Sequence, residues 1–181
     1  MKKLIFIVFT LVLFLGCKKE TPAEPTEPTV TDETANEKPA EFADAKYTEI
    51  GKSAINAMAK GDMDGWTANF ADDAVYYWNA GDSLVGKPAI DKYWRDRRAT
   101  AIETISFESD IWLPIKVNKP QHNESTGVWL MGWYQVNVKY KGGSDMSQWM
   151  HILYHFNEND KIDQVNHFID RAPIIAAMPK K

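Results

Sequence analysis

From Ile102 to Asp170 the sequence falls into four strand-like runs, IETISFESDIWLPIKVN, GVWLMGWYQVNVKY, SQWMHILYHF and KIDQVNHFID. Turn-rich breaks at Asn118 to Gly127, Gly142-Gly143 and Asn157 to Asp160 divide them. Alternation with a period of two places successive side chains on opposite faces of a strand, and Gly, Asn and Asp clusters turn the chain between strands. Runs joined in this way form an antiparallel meander.

The segment before the meander carries a different period. From Phe42 to Lys60 the apolar positions Phe42, Ala45, Ile50, Ala54, Ile55 and Met58 are spaced as on a helix, and Gly61-Asp62 supplies a stop followed by a new start. Asp62 or Asp64 can cap a second, short helix in which Trp66 and Phe70 lie four apart. Pro88 opens a third, with Ile90, Tyr93, Trp94 and Arg97 at spacings of three and four. Three helices followed by a meander predict the α+β class.

Composition bounds what this architecture can do. A chain of 181 residues that is 44% hydrophobic and 12% aromatic buries one sizeable core. A net charge of −4 argues against a nucleic-acid partner, which requires clustered Lys and Arg. The run Arg95, Arg97, Arg98 is expected to be a solvated helix face.

The first seventeen residues form a separate object. Lys2 and Lys3 precede LIFIVFTLVLFL, which has the layout of a secretory signal and is too short to span a bilayer comfortably. Its end, Leu13-Phe14-Leu15-Gly16-Cys17, resembles the lipobox of bacterial lipoproteins, in which the Cys is lipidated and becomes the mature N-terminus. Cys17 is the sole cysteine, so it is expected to be an anchor, and an exported domain is left with no disulfide. Residues 18–40, KKETPAEPTEPTVTDETANEKPA, hold four prolines, six acids and no aromatic, a composition that cannot offset its own ordering entropy. They are expected to form an acidic, Pro-rich tether able to reach about 70 Å from a bilayer. Lys18-Lys19-Glu20 resembles the charged signals that send Bacteroidota lipoproteins to the outer membrane, facing the periplasm or the cell surface. The folded domain is expected over residues 41–181.

The strings Gly61-Asp62-Met63-Asp64-Gly65-Trp66, Phe70-Ala71-Asp72-Asp73-Ala74, Gly86-Lys87-Pro88-Ala89-Ile90 and Lys161-Ile162 to Asp170, in this order, resemble the nuclear transport factor 2-like superfamily in its SnoaL-like and ketosteroid isomerase-like branch. The resemblance runs from about Ala45 to Arg171. It implies three helices covering a strongly curved antiparallel sheet, a cone with a ligand cavity. Carried over by position, the isomerase base falls on Trp78, the oxyanion-holding phenol on Ala54 and the protonated acid on Ile152. Indole cannot take the α-proton, and Ala and Ile cannot donate to an oxyanion, so isomerase chemistry is rejected and ADDAVYYWN (Ala71 to Asn79) is expected to be cavity wall. Whether the chain is an enzyme of another kind stays open.

By strand parity and the resemblance, the inward positions are Tyr76 and Trp78; Tyr134, Val136 and Val138; Ile152, Tyr154 and Phe156; and Val165, His167 and Ile169, meeting Trp66 and Tyr93 from the helices. His167 is the ionisable member of this set and the candidate for acid or base work. Its strand position is one where epoxide hydrolases of the superfamily carry a catalytic Asp. His151 and His155, four apart on a strand and so about 13 Å from each other, cannot share a metal ion. No metal and no cofactor is expected. With Trp129, Trp133 and Trp149 these histidines fall on the outer, convex sheet face, which is expected to pair with a second copy as a homodimer.

Register decides which histidine faces inward. An even number of unpaired residues in the loop at Asn157 to Lys161 sets Ile152 opposite His167, and an odd number sets His151 there; keeping Ile152, Tyr154 and Phe156 inside selects the first. Two function classes follow. One is a membrane-anchored domain that takes a small, partly aromatic or polycyclic molecule in an aromatic cavity and engages it through His167. The other is a non-enzymatic dimeric surface module whose cavity is filled by its own side chains.

Overall fold

A computed structural model describes residues 38–180; the signal segment, Cys17 and nearly all of the expected tether lie outside the described residues. The elements run β1 (Ala40–Phe42), α1 (Lys46–Lys60), α2 (Met63–Thr67), β2 (Phe70–Trp78), β3 (Ser83–Val85), α3 (Lys87–Thr100), β4 (Ile102–Val117), β5 (Gly127–Tyr140), β6 (Asp145–Phe156), β7 (Ile162–Phe168) and α4 (Arg171–Ala177). One sheet takes the order β1-β4-β5-β6-β7-β2-β3. All pairs are antiparallel except β2 with β7, which joins the early strands β2 and β3 to the end of the meander. The expected α+β class and curved sheet with three preceding helices are what the chain adopts.

Local chemistry fixes the helix ends. Gly61 stops α1 at φ 75°, a left-handed conformation that costs glycine little, and its N–H donates to the Ala57 and Met58 carbonyls. Asp62 caps α2 by accepting from the Gly65 N–H at 2.9 Å, a contact worth about 1 kcal/mol. Trp66 and Phe70 pack ring to ring at 4.7 Å, although α2 ends at Thr67 and Phe70 already belongs to β2. Phe42 is not the first residue of α1 as expected: it ends β1, 78% exposed, opposite Ile115. The sheet therefore begins at Ala40, one residue ahead of the expected boundary, and the Pro39 carbonyl accepts from the Asn118 and Lys119 N–H groups.

Bulges bend the long strands and reset their faces. In β4 an extra residue between Glu108 and Ile111, with Ser109 at φ 55°, moves the inward positions from Ile105 and Phe107 to Trp112. The Trp112 ring then fits between two glycines, Gly51 on α1 and Gly132 on β5; a Cβ on either would collide with it. Asp72 and Asp73 occupy an irregularity within β2, both exposed, while Ala71 and Ala74 turn inward. Of the stretch expected to be cavity wall, Asp72 and Asp73 thus face solvent, while Tyr76 and Trp78 face the interior.

The β6–β7 register puts Ile152 opposite His167, the expected pairing reached by a different route. Phe156 pairs with Ile162, so five residues, an odd number, separate the strands. A bulge at Asp163 then shifts the register by one, and His155 faces Gln164. On the outer face Trp133 stacks on His151 at 4.5 Å, and His151 on Phe168 at 5.5 Å. Trp129 lies on this outer face as expected but is covered within the chain: it packs on His155 and donates from Nε1 to the Ser125 carbonyl. Both His155 nitrogens are engaged as well, Nδ1 by Asp163 at 2.6 Å and Nε2 by the Thr126 carbonyl at 2.9 Å.

Candidate functional site

The concave face of the sheet and the helices above it enclose a cavity of about 350 Å³, large enough for a small ligand. Of the residues expected to line it, Trp66, Tyr76, Trp78, Tyr93, Tyr134, Val136, Ile152, Tyr154, His167 and Ile169 all do. Val165 does not. It points inward and is fully buried, but it stands in register between Tyr76 and Tyr154, and its short side chain is spent within the core cluster that holds both. Phe156 likewise packs against Tyr47 in the core, 4.7 Å between ring centroids.

Five tyrosines, Tyr76, Tyr93, Tyr134, Tyr140 and Tyr154, and one histidine are among the polar groups of the wall. Tyr76 Oη lies 2.6 Å from His167 Nδ1, a buried hydrogen bond between neighbouring strands. Desolvation pulls the His167 pKa down to about 3, with the charge of nearby His151 a smaller cause in the same direction. Desolvation also pushes the Tyr76, Tyr134 and Tyr154 phenols well above their usual range, so all three stay protonated. With both partners neutral, the fully buried Tyr76 hydroxyl is satisfied by donating to Nδ1, which assigns the remaining ring proton to Nε2. His167 Nε2 has no hydrogen-bond partner among the described residues, and neither does Trp94 Nε1, which belongs to another wall residue. An enclosed donor without an acceptor costs about 1–3 kcal/mol.

The histidine is thus held away from proton transfer near neutral pH. A base whose conjugate acid titrates near 3 removes a proton from carbon poorly, and a neutral imidazole whose Nε2 carries hydrogen is a donor. The three positions carried over from isomerases give no substitute: Ala54 and Ile152 are buried apolar residues, and Trp78 packs between the tilted rings of Tyr76 at 4.8 Å and Tyr93 at 5.2 Å. Among the described residues no three His, Cys, Asp or Glu side chains converge in a way that would hold a metal ion.

Several wall residues escape sequence reasoning. α4 and its C-cap contribute Ile174, Ile175 and Met178 to the cavity boundary; the signal for this helix was the Asp170 N-cap, which accepts from Ala172 N at 2.8 Å ahead of the apolar run Pro173-Ile174-Ile175. Asp82, Arg97 and Arg171 bring charge to the boundary. The expectation of a solvated Arg95, Arg97, Arg98 face is corrected here. Arg95 does lie at the surface, bound to Asp91 and Asp64. Arg97, by contrast, borders the cavity on the Tyr93–Trp94 side of α3, and Arg98 has Nε and Nη1 buried without partners. A helix turns 100° per residue, so three nearby arginines cannot share one environment.

The SnoaL-like domain profile matches residues 52–165, more than half of the chain. The chain belongs to the SnoaL-like family. No protein among those of curated function matches it. Among solved structures, a protein of Xanthomonas campestris designated a polyketide cyclase superimposes with a TM-score of 0.57 at 15% identity, covering 72% of this chain and 94% of its own. A Mycobacterium tuberculosis protein in complex with estradiol-17β-hemisuccinate gives 0.52 at 17% identity, over 70% and 95% of the two chains. An epoxide hydrolase of the same organism gives 0.51 at 13%, over 70% and 84%. At these identities the likeness is one of fold, and the SnoaL-like domain here has its own wall chemistry, with His167 and Trp78 inside.

Proposed function

We propose that this SnoaL-like domain binds a small, largely apolar, partly aromatic or polycyclic molecule inside its cone, and that His167 acts there as a hydrogen-bond donor to a ligand oxygen. The observation that carries the proposal is a cavity of about 350 Å³ walled by aromatic rings, with a neutral imidazole at its boundary whose Nε2 lacks an acceptor. A carbonyl or hydroxyl oxygen reaching Nε2 would recover the cost of leaving it unpaired, while Trp78, Tyr76 and Tyr134 supply faces for stacking. The titration of His167 favours binding, or polarisation of a carbonyl, over proton shuttling. The steroid conjugate and the polyketide designation of the structural neighbours accord with a polycyclic ligand.

The competing class, a module whose own side chains fill the cone, fits the volume poorly, since the wall rings leave about 350 Å³ between them. Two further features complete the proposal. Cys17 anchors the protein to a bacterial membrane, with residues 18–40 as spacer, and the outer aromatic stack Trp133–His151–Phe168, with Trp149 54% exposed beside it, pairs two copies. Native mass spectrometry of the purified protein tests both sides at once. A co-purified mass of a few hundred daltons, lost in His167→Leu, is expected on a dimer. A bare protein that also fails to take up added estradiol would overturn the binding proposal, and a monomer at micromolar concentration would overturn the pairing.

A further inference from the structure

Three charged side chains border the cavity, and they do not cancel. Arg171 Nη2 reaches both carboxylate oxygens of Asp82, at 2.6 and 2.8 Å, so this pair neutralises itself. Arg97 has no carboxylate within ion-pairing distance among the described residues, and the carboxylates nearest along its helix are taken, Asp91 by Arg95 and Asp96 by Lys92. Two cations and one anion leave the wall with a single positive charge while His167 is neutral.

The unbalanced cation is held in place. Its guanidinium carbon lies 5.8 Å from the centroid of the Tyr93 ring; Tyr93 and Trp78 rings lie 5.2 Å apart, and Arg171 stands 5.9 Å from Trp78. Arg97 also stands by the Tyr140 hydroxyl, whose pKa burial raises while the neighbouring guanidinium partly opposes the rise. Half-buried against aromatic faces, its planar fork is less hydrated than a free surface arginine and is preorganised for a two-oxygen anion.

We propose that the cavity ligand is an organic monoanion: an apolar, ring-containing body within the cone and one carboxylate that pairs with Arg97. This rests on the binding function proposed above and adds to it a charge and a specificity-determining residue. An acid of that kind completes the charge balance of the wall, whereas a neutral ligand of the same shape leaves Arg97 partly desolvated without an anionic partner.

The test uses the purified full chain and two matched fluorescent probes, pyrenebutyrate and pyrenebutanol, which share a ring system and differ in charge. The native protein should bind the acid about tenfold more tightly than the alcohol, the scale of one charge-assisted pair. Arg97→Met should bring the two affinities within about twofold of each other by weakening the acid alone, and Arg97→Lys should restore part of the preference. The native protein carries an independent readout in case Arg97→Met misfolds: raising NaCl to about 0.5 M should narrow the preference and leave the alcohol unaffected. Equal affinity for both probes in the native protein would overturn the proposal while leaving ligand binding intact. So would a preference that survives in folded Arg97→Met. Binding of neither probe would overturn this inference together with the binding function on which it rests.

Discussion

Replacing His167 with Asn should flatten the acid limb of the stability curve. Asn keeps an acceptor oxygen near the position of Nδ1 for the Tyr76 hydroxyl and removes the titration. In the native fold the imidazole titrates at about 3, against 6.5 when unfolded. Because the folded value is depressed, the unfolded chain binds more protons below pH 6.5, so the contribution of this group is fully present above pH 6.5 and is lost as pH falls toward 3. The whole span is worth about 5 kcal/mol, but the informative measurement lies at pH 5, where the folded imidazole is still neutral and the loss is set by the unfolded chain alone. There it is about 2 kcal/mol.

The assay is urea unfolding followed by tryptophan emission at pH 7 and pH 5, for the native protein and His167→Asn. His122, His151 and His155 are common to both proteins, so the difference between them reports on position 167. The native protein should lose about 2 kcal/mol more than the variant between the two pH values. At pH 7 the variant should be the less stable, by about 1 kcal/mol for an imperfect replacement of a buried hydrogen bond. An equal pH dependence in the two proteins, or an NMR titration that places His167 at or above 6.5, would refute the buried neutral imidazole and with it the donor role of Nε2.

Two other outcomes follow from particular contacts. Gly132→Ala should destabilise the fold by about 1–3 kcal/mol, because its Cβ meets the Trp112 ring, which Gly51 hems in on the other side; a urea midpoint unchanged from native would show that the ring has room to move. Cys17→Ser should abolish incorporation of labelled fatty acid and release the protein from membranes with its unfolding curve unchanged, and label retained in the variant would refute the lipid anchor.

The fold was legible because its main signals are local. The change from a helical to a twofold period near Ile102, the Gly61-Asp62 stop and start, and Pro88 at the opening of α3 each act within a few residues, and the structure places element ends close to all three. What escaped depends on long-range pairing. β1 and β3 are three-residue strands that exist because β4 and β2 offer them an edge. β2 runs parallel to β7, a partner some ninety residues away, and no period within Phe70 to Trp78 reports that direction.

The site divides along the same line. Alternation on β5, β6 and β7 was enough to send Tyr134, Ile152, Tyr154 and His167 inward, since a strand offers only two faces and the apolar set chooses between them. Bulges limit this logic. The one at Asp163 compensates an odd loop, and without it His151 would oppose His167; the one near Ser109 exchanges the faces of β4 halfway along, which no count of apolar residues reveals. Charge was harder still to place. Arg95 and Arg97 are separated by two positions on one helix, yet Arg95 finds two carboxylates at the surface while Arg97 finds the Tyr93 ring and the cavity wall. The difference lies in what stands opposite each side chain. A guanidinium's role is set by the partner it lacks as much as by those it has, and only the assembled wall shows that Asp82 serves Arg171 and that Arg97 borders the cavity without a carboxylate of its own among the described residues.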